Sequence, residues 1–128
     1  MYELDLEASL TIVHKSEGGS WGEGVLHDHN LVVKLTVAYE YDSGQSPLPF
    51  GRVASMLDEE LDEYRNAILN NLPQFRGTHV LFEDLARVIH ARMREVTMPQ
   101  GMRVSQVEIQ DTRGGVRIRY RPDAVVDD

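Results

Sequence analysis

The sequence of 128 residues predicts an α+β fold in which two helices cover one face of a four-stranded antiparallel sheet. Two long segments near the N-terminus alternate apolar and polar residues, which is the period of a half-buried strand. Two later segments repeat apolar residues every three or four positions, which is the period of an amphipathic helix. Two short strands joined by a tight turn follow, so the predicted element order is β-β-α-α-β-β.

The two N-terminal strands are predicted at residues 2–14 and 25–41. Residues 15–24 contain four glycines and two serines and are predicted to form the loop between them. One face of the first strand carries Tyr2, Leu4, Leu6, Ala8, Leu10, Ile12 and His14. The matching face of the second carries Val25, His27, His29, Leu31, Val33, Leu35, Val37, Tyr39 and Tyr41. Both apolar faces therefore carry histidines at the end of the strand nearest the loop.

The two helices are predicted from their apolar stripes. The first stripe runs from Val53 to Ile68, and the segment 70–73 is expected to end that helix. The second helix is predicted to follow an N-cap at Thr78, with a stripe of Phe82, Leu85, Ala86, Ile89 and Met93.

The closing hairpin is predicted from two short alternating segments, 104–112 and 116–121, around an Arg-Gly-Gly turn. The domain is thus expected to cover residues 1–121, with an acidic, frayed tail at 122–128. A row of arginines is predicted on the outer face of the hairpin: Arg113, Arg117, Arg119 and Arg121. We interpret this row as a solvated face, with attraction of a triphosphate as the alternative.

Composition excludes several classes of protein. There is no cysteine, which removes disulfides, thiolate zinc sites and cysteine nucleophiles. The net charge of −8 argues against a general nucleic-acid binder, whose affinity comes from neutralising phosphates. No apolar stretch approaches the roughly 18 residues of a membrane span, so no membrane association is expected. The N-terminus lacks the basic segment of a signal peptide, so a cytoplasmic location is expected.

The histidines are the residues best suited to chemistry. His27 and His29 lie two positions apart on a strand, so both rings point to the same side. Because His14 ends the matching face of the neighbouring strand, the three imidazoles could converge. Three neutral imidazoles leave a fourth tetrahedral position open, which is typical of catalytic zinc. The alternative is a set of structural histidines satisfied by hydrogen bonds.

Several motifs occur in the order of one known family. Leu26-His27-Asp28-His29-Asn30 resembles the LHGHN signature of the 6-pyruvoyl-tetrahydropterin synthase and 6-carboxy-tetrahydropterin synthase family. Residues 67–70 resemble the end of its first helix, residues 82–86 the start of its second, and residues 107–112 its VxVxET strand. The resemblance covers roughly residues 4–120. It implies the tunnelling fold, in which trimers close their sheets into a barrel, stack as hexamers and hold active sites between subunits.

The resemblance also implies a site. His14, His27 and His29 match the histidines that hold zinc against the side-chain oxygens of the substrate. Asp111, followed by Thr112, stands where the family glutamate binds the pterin ring. Glu83 matches the glutamate at the start of the family's second helix. The two family threonines beside that glutamate are replaced by Leu81 and Phe82. A pterin-like ligand is therefore expected, and a purine-like one stays open because both rings share the same donor–acceptor edge.

The sequence differs from the family at the positions of the family's catalytic residues. Glu23 occupies the place of the catalytic cysteine, and Asp28 replaces the glycine between the histidines. Arg65 and Asn66 stand where the family has the Asp-His pair that activates the cysteine. Arginine stays protonated and an amide does not titrate, so neither residue can replace that pair.

We therefore predict a divergent homologue that binds a pterin-like ligand at a subunit interface without catalysing the synthase reaction. Two alternatives stay open. One is a zinc-dependent lyase that acts on 7,8-dihydroneopterin triphosphate with Glu23 as its base, provided that burial raises the pKa of this carboxyl. The other is a non-catalytic structural or interaction protein that keeps only the oligomeric fold.

Overall fold

The computed structural model describes residues 1–15, 26–43, 50–75 and 80–122. Its strands are β1 (Tyr2–Lys15), β2 (Leu26–Tyr39), β3 (Arg103–Asp111) and β4 (Val116–Tyr120), which form an antiparallel sheet in the order β1-β2-β3-β4. Its helices are α1 (Phe50–Asp62) and α2 (Phe82–Thr97). Short 3-10 turns lie at Leu69–Asn71, Pro73–Phe75 and Met98–Gln100. The predicted fold class and element order are confirmed.

The core lies between the apolar face of the sheet and the two helices. From the sheet it contains Leu10, Ile12, Leu31, Val33, Leu35, Val37, Val104, Val107 and Ile109, all buried. From the helices it contains Val53, Leu57, Leu61, Leu85, Ala86, Ile89 and Met93. The strand alternation and the helical stripes identified in the sequence thus meet in one layer, because each buries its apolar side against the other.

The other face of the sheet is polar. Arg119 Nε donates a hydrogen bond to Glu108 Oε1 at 2.9 Å, and Arg121 Nε donates to Gln106 Oε1 at 2.5 Å. Lys34 Nζ lies 3.8 Å from Glu108 Oε2. Two arginines of the predicted row are therefore paired with side chains of β3, in agreement with a polar sheet face.

The first helix ends earlier than its apolar stripe predicted. The stripe continued to Ile68, whereas α1 ends at Asp62. Asn66 takes a left-handed conformation with φ of 57°, which an α-helix does not accommodate. Its N–H donates to the carbonyl of Thr11 at 3.0 Å, and the N–H of Val13 donates to Ala67 at 3.3 Å. Residues 66–67 leave the helix because their backbone hydrogen-bonds to β1, which a periodicity argument does not register.

Other expectations lie outside the described residues. These are most of the predicted loop, the Thr78 cap and nearly all of the acidic tail. At the start of α2, the N–H of Leu81 donates to Asp84 Oδ2 at 3.0 Å, which satisfies a backbone donor beside the helix N-terminus. None of the described helices is long and apolar enough to cross a membrane.

The Glu60→Gln variant tests the contacts of the Glu60 carboxyl with Tyr64 and with Arg92 of α2. Glu60 accepts a hydrogen bond from the hydroxyl of Tyr64 and lies 3.9 Å from Arg92 Nε. Burial raises the pKa of Glu60, although the Tyr64 hydrogen bond and Arg92 oppose that change. A raised carboxyl pKa in the folded state favours folding fully below the unfolded pKa, and the benefit is lost as the pH rises through the folded pKa. Between about pH 4 and about pH 7, the stability of Glu60→Gln relative to wild type should therefore increase.

Urea unfolding of both proteins at each pH measures this difference. Glu63→Gln is the matched control, because Glu63 is 40% exposed and lies 3.8 Å from the same arginine. Identical pH dependence of wild type and Glu60→Gln would contradict the expectation.

Candidate metal centre

Three imidazoles meet at one end of the β1–β2 pair. His14 lies directly opposite His27 in the strand register, and His29 lies opposite Ile12, two pairs further along. The ring centroids are 4.4 Å (His14–His27), 4.8 Å (His14–His29) and 4.9 Å (His27–His29) apart. One ring nitrogen of each lies within 4.8 Å of the others. The predicted convergence is observed because the two-residue period of a strand keeps all three side chains on one face.

The His14 imidazole is held from behind by a backbone carbonyl. Its Nδ1 lies 2.7 Å from the carbonyl oxygen of Val80, just before α2. Since a carbonyl only accepts, Nδ1 carries the proton and donates it, which leaves the lone pair on Nε2. Burial lowers the pKa of His14 against the opposing effect of the Val80 hydrogen bond, and the neighbouring histidines lower it further. His14 is thus a neutral imidazole whose buried Nε2 has no hydrogen-bond partner in the part of the chain that the structure describes.

The His29 imidazole is held in the same way by a carboxylate. Its Nδ1 donates to Asp111 Oδ2 at 3.1 Å, and no described residue hydrogen-bonds to its buried Nε2. Burial alone would raise the pKa of Asp111, but hydrogen bonds from the N–H groups of Arg113 and Gly114 and from His29 outweigh it and lower the pKa. The carboxylate therefore stays ionised and fixes the Nδ1–H tautomer of His29.

These imidazoles present the donor set of a divalent-metal site. A buried polar atom without a partner costs about 1–3 kcal/mol, so two unpartnered Nε2 atoms side by side require an explanation. Neutral imidazole nitrogens bind zinc and related divalent ions, and a ligand whose other nitrogen donates to a carbonyl or carboxylate is the usual arrangement. Among the described residues, His14, His27 and His29 are the group that could hold a metal. The residues present therefore fit a zinc ion.

The N-terminus of α2 forms one wall of the centre. Phe82 stacks on His14 with ring centroids 5.7 Å apart and presents its edge to His29 at 5.0 Å. Leu81 and Glu83 on either side of it are exposed. These three residues were predicted to contact a ligand, and Phe82 is the one that touches the histidines.

The remaining predicted site residues are placed as follows. The N–H and the hydroxyl of Thr112 both donate to the carbonyl of Asn30, at 3.1 and 3.0 Å. Asp28 is exposed, one strand position away from each of two histidines. Glu23 lies outside the described residues. The roles of Leu81, Phe82, Glu83, Asp111 and Thr112 in ligand binding stay predictions.

Sequence reasoning missed both groups that orient the imidazoles. The Val80 carbonyl carries no sequence signal, because any residue at that position offers the same backbone oxygen. Asp111 was singled out, but as a ligand contact, and its hydrogen bond to His29 joins residues 82 positions apart. Only the antiparallel pairing of β2 with β3, which places Leu31 opposite Asp111, brings that carboxylate to His29.

Arg65 and Asn66, which the resemblance aligns with the family's Asp-His pair, make contacts between α1 and the sheet. Arg65 donates hydrogen bonds to Asp58 at 2.6 Å and to Asp62, and its Nη2 lies 3.5 Å from the carbonyl of Ser9. The neighbouring Asn66 holds the backbone joint to β1. Together these contacts fasten the end of α1 to the sheet.

Restoring the family pair should therefore destabilise the fold. In Arg65→Asp/Asn66→His, a third carboxylate joins Asp58 and Asp62, and a histidine must take the left-handed conformation of Asn66. We expect a loss of about 2 kcal/mol in the free energy of unfolding. Urea unfolding measures it, with Arg87→Asp, which breaks an exposed ion pair to Asp84, as a control expected to lose less than about 1 kcal/mol. Equal losses in the two variants would show that the joint has no special role.

The sequence profile described as 6-pyruvoyl tetrahydropterin synthase matches residues 4–122. The structure of the synthase from Caenorhabditis elegans superposes with a TM-score of 0.77 at 18% identity, covering 95% of this chain and 96% of that one. The synthase from Plasmodium falciparum gives 0.67 at 11% identity, covering 94% and 98%. An uncharacterized protein from Wolinella succinogenes gives 0.58 at 19% identity, covering 95% and 98%. No curated protein matches the chain significantly.

Proposed function

The chain belongs to the 6-pyruvoyl tetrahydropterin synthase family, and we propose that it is a zinc-binding member that takes a pterin-like ligand without performing the synthase reaction. One observation is the main support for the proposed metal site. The Nε2 atoms of His14 and His29 are buried without a hydrogen-bond partner among the described residues, while both Nδ1 atoms are engaged by an oxygen acceptor. His27, beside both rings, supplies the third ligand.

The ion would be held by three neutral imidazoles. When bound, zinc supplies a Lewis acid with one coordination position open to oxygen atoms of the ligand. The chain's own residues do the rest. The Val80 carbonyl and the Asp111 carboxylate keep the protons of His14 and His29 on Nδ1, and the Phe82 ring lies against the same two imidazoles.

Loss of the synthase route is supported by the residues that replace its catalytic groups. The chain contains no cysteine, so no thiolate is available as a base. The guanidinium of Arg65 is held by Asp58 and Asp62, and arginine does not exchange its proton near neutral pH. The carboxamide of Asn66 does not titrate.

The small molecule is proposed to be a pterin, or a purine with the same hydrogen-bonding edge. Phe82 offers an aromatic face beside the histidines, and exposed Leu81 and Glu83 lie next to it. Within the described residues, the outer edge of β4 has no strand partner, and the outer edge of β1 is paired only where Thr11 and Val13 hydrogen-bond to residues 66 and 67. We therefore propose a homo-oligomer, a hexamer built from two trimers, with the site completed at a subunit interface. The cytoplasmic location stays a prediction.

A second candidate is the zinc-dependent lyase acting on 7,8-dihydroneopterin triphosphate, with Glu23 as base. It is favoured by the three ligands that the described part of the chain offers, because a structural zinc site uses four protein ligands and a catalytic one uses three. Turnover of this substrate that requires zinc and is lost in Glu23→Gln would select the lyase over the non-catalytic homologue.

Elemental analysis of protein purified without a tag or chelator tests the proposal first. About one zinc per chain is expected. Folded protein that binds no zinc would rule out the metal site. A titration of the zinc-loaded protein with 7,8-dihydroneopterin then tests the ligand, with guanosine as the purine comparison. Zinc-loaded protein that binds neither compound would leave a structural or interaction role.

A further inference from the structure

We propose that Asp111 is a positioning residue for the metal centre, fixing the His29 imidazole, and not the group that binds the ring edge of the ligand. The inference rests on the proposed zinc site. It concerns the place where this chain has aspartate and the family pattern has glutamate.

The hydrogen-bonding capacity of the Asp111 carboxylate is almost fully used within the chain. An ionised carboxylate accepts about four hydrogen bonds, two on each oxygen. Oδ1 accepts from the N–H groups of Arg113 at 3.0 Å and Gly114 at 3.3 Å. Oδ2 accepts from His29 at 3.1 Å. One lone pair remains, on Oδ2, whereas a two-point contact to a ring edge needs a free position on each oxygen. The side chain is also only 11% exposed.

The β3–β4 turn is built around this carboxylate. A Cβ added to Gly114 would lie 3.3 Å from Asp111 Oδ2, a tighter contact than side chains normally make. The adjacent Thr112 fixes the start of the turn through its two hydrogen bonds to Asn30. A glutamate at position 111 would carry its carboxylate roughly 1.5 Å further from the backbone. The shorter aspartate is therefore matched to the turn N–H groups on one side and to His29 on the other.

The consequence for the metal is a fixed tautomer. With its proton held on Nδ1, His29 presents the Nε2 lone pair toward His14 and His27. Metal binding then requires neither rotation of the ring nor transfer of its proton. Hydrogen-bond partners of this kind typically raise metal affinity 10–100-fold. The ring edge of the ligand must then be recognised by other groups.

Asp111→Asn tests this assignment with almost no change of shape. To keep accepting from the two turn N–H groups, the asparagine oxygen must face them, which turns its NH2 toward His29 Nδ1. Nδ1 then becomes an acceptor and the proton moves to Nε2, the metal-binding nitrogen. We expect a 10–100-fold loss of zinc affinity, measured by chelator competition, and a switch of the His29 tautomer in ¹⁵N NMR of the metal-free protein. The tautomer of His14, held by Val80, should not change.

Glu108→Gln is the matched control. Glu108 is a buried acid on the same strand, and its partners are Arg119 and Lys34 on the opposite sheet face. It should keep the wild-type zinc affinity. Zinc affinity of Asp111→Asn within about threefold of wild type, with the tautomer unchanged, would overturn the assignment while leaving the zinc site intact.

A measurement on the unaltered protein covers the case in which Asp111→Asn does not fold. Metal-free wild type should show His29 as the Nδ1–H tautomer in ¹⁵N NMR, and a predominant Nε2–H form would overturn the proposal. Absence of zinc binding by the wild type would instead contradict the proposed zinc site, and the role of Asp111 in that site would be ruled out together with it.

Discussion

His27→Ala is expected to weaken zinc binding by about 10²–10³-fold. A zinc ion with four protein ligands is bound with about 10–16 kcal/mol in small domains, or about 2.5–4 kcal/mol for each ligand. Removing one imidazole from His14, His27 and His29 leaves two, which is fewer than a zinc site normally has. His27 is the best position for the test, because it is only half-buried, whereas His14 is 5% exposed and packs in the interior.

Competition with a chromophoric chelator measures this affinity. His90→Gln is the matched control, because His90 is a histidine outside the centre whose Nε2 donates to the Val104 carbonyl at 3.1 Å. It should bind zinc as wild type does. Unchanged affinity in His27→Ala would mean that zinc binds elsewhere.

Zinc is expected to raise the melting temperature of the wild-type protein by about 10 °C at a free concentration of about 100 times its Kd. A ligand that binds the folded state alone stabilises it by about 2.7 kcal/mol under these conditions. The unfolding entropy of a chain of 128 residues, about 0.27 kcal/mol/K, converts that free energy into the temperature shift. The effect is expected because the buried Nε2 atoms of His14 and His29 gain a partner.

Thermal unfolding by circular dichroism, with and without zinc, measures the shift. In His27→Ala the same zinc concentration should raise the melting temperature by no more than about 2 °C, because it no longer exceeds the Kd. A large shift in that variant would indicate binding at another site, and addition of a chelator to wild type should reverse the shift completely.

The strands and helices could be predicted from the spacing of their apolar residues, and so could the histidine cluster. Alternation over the first two strands predicted that His14, His27 and His29 share the core face, and the register confirms that they meet. Side chains alternate between the two faces of a strand, so the face of each residue can be predicted from its neighbours in sequence alone. The end of α1 was predicted wrongly, because the Asn66 N–H donates to Thr11 and the Ala67 carbonyl accepts from Val13, both in β1 and more than fifty positions earlier in the chain.

The sequence by itself determined the fold class, the sheet and helix faces, and which side chains lie on the histidine side. It also determined that the chain has no cysteine and that residues 65 and 66 are an arginine and an asparagine, neither of which can exchange a proton near neutral pH. Only the tertiary structure decided how the imidazoles are held. The partners of His14 and His29 are the Val80 carbonyl and the Asp111 carboxylate, which are 66 and 82 positions away. Such contacts depend on how strands and helices pack together, and no local period of the sequence encodes that.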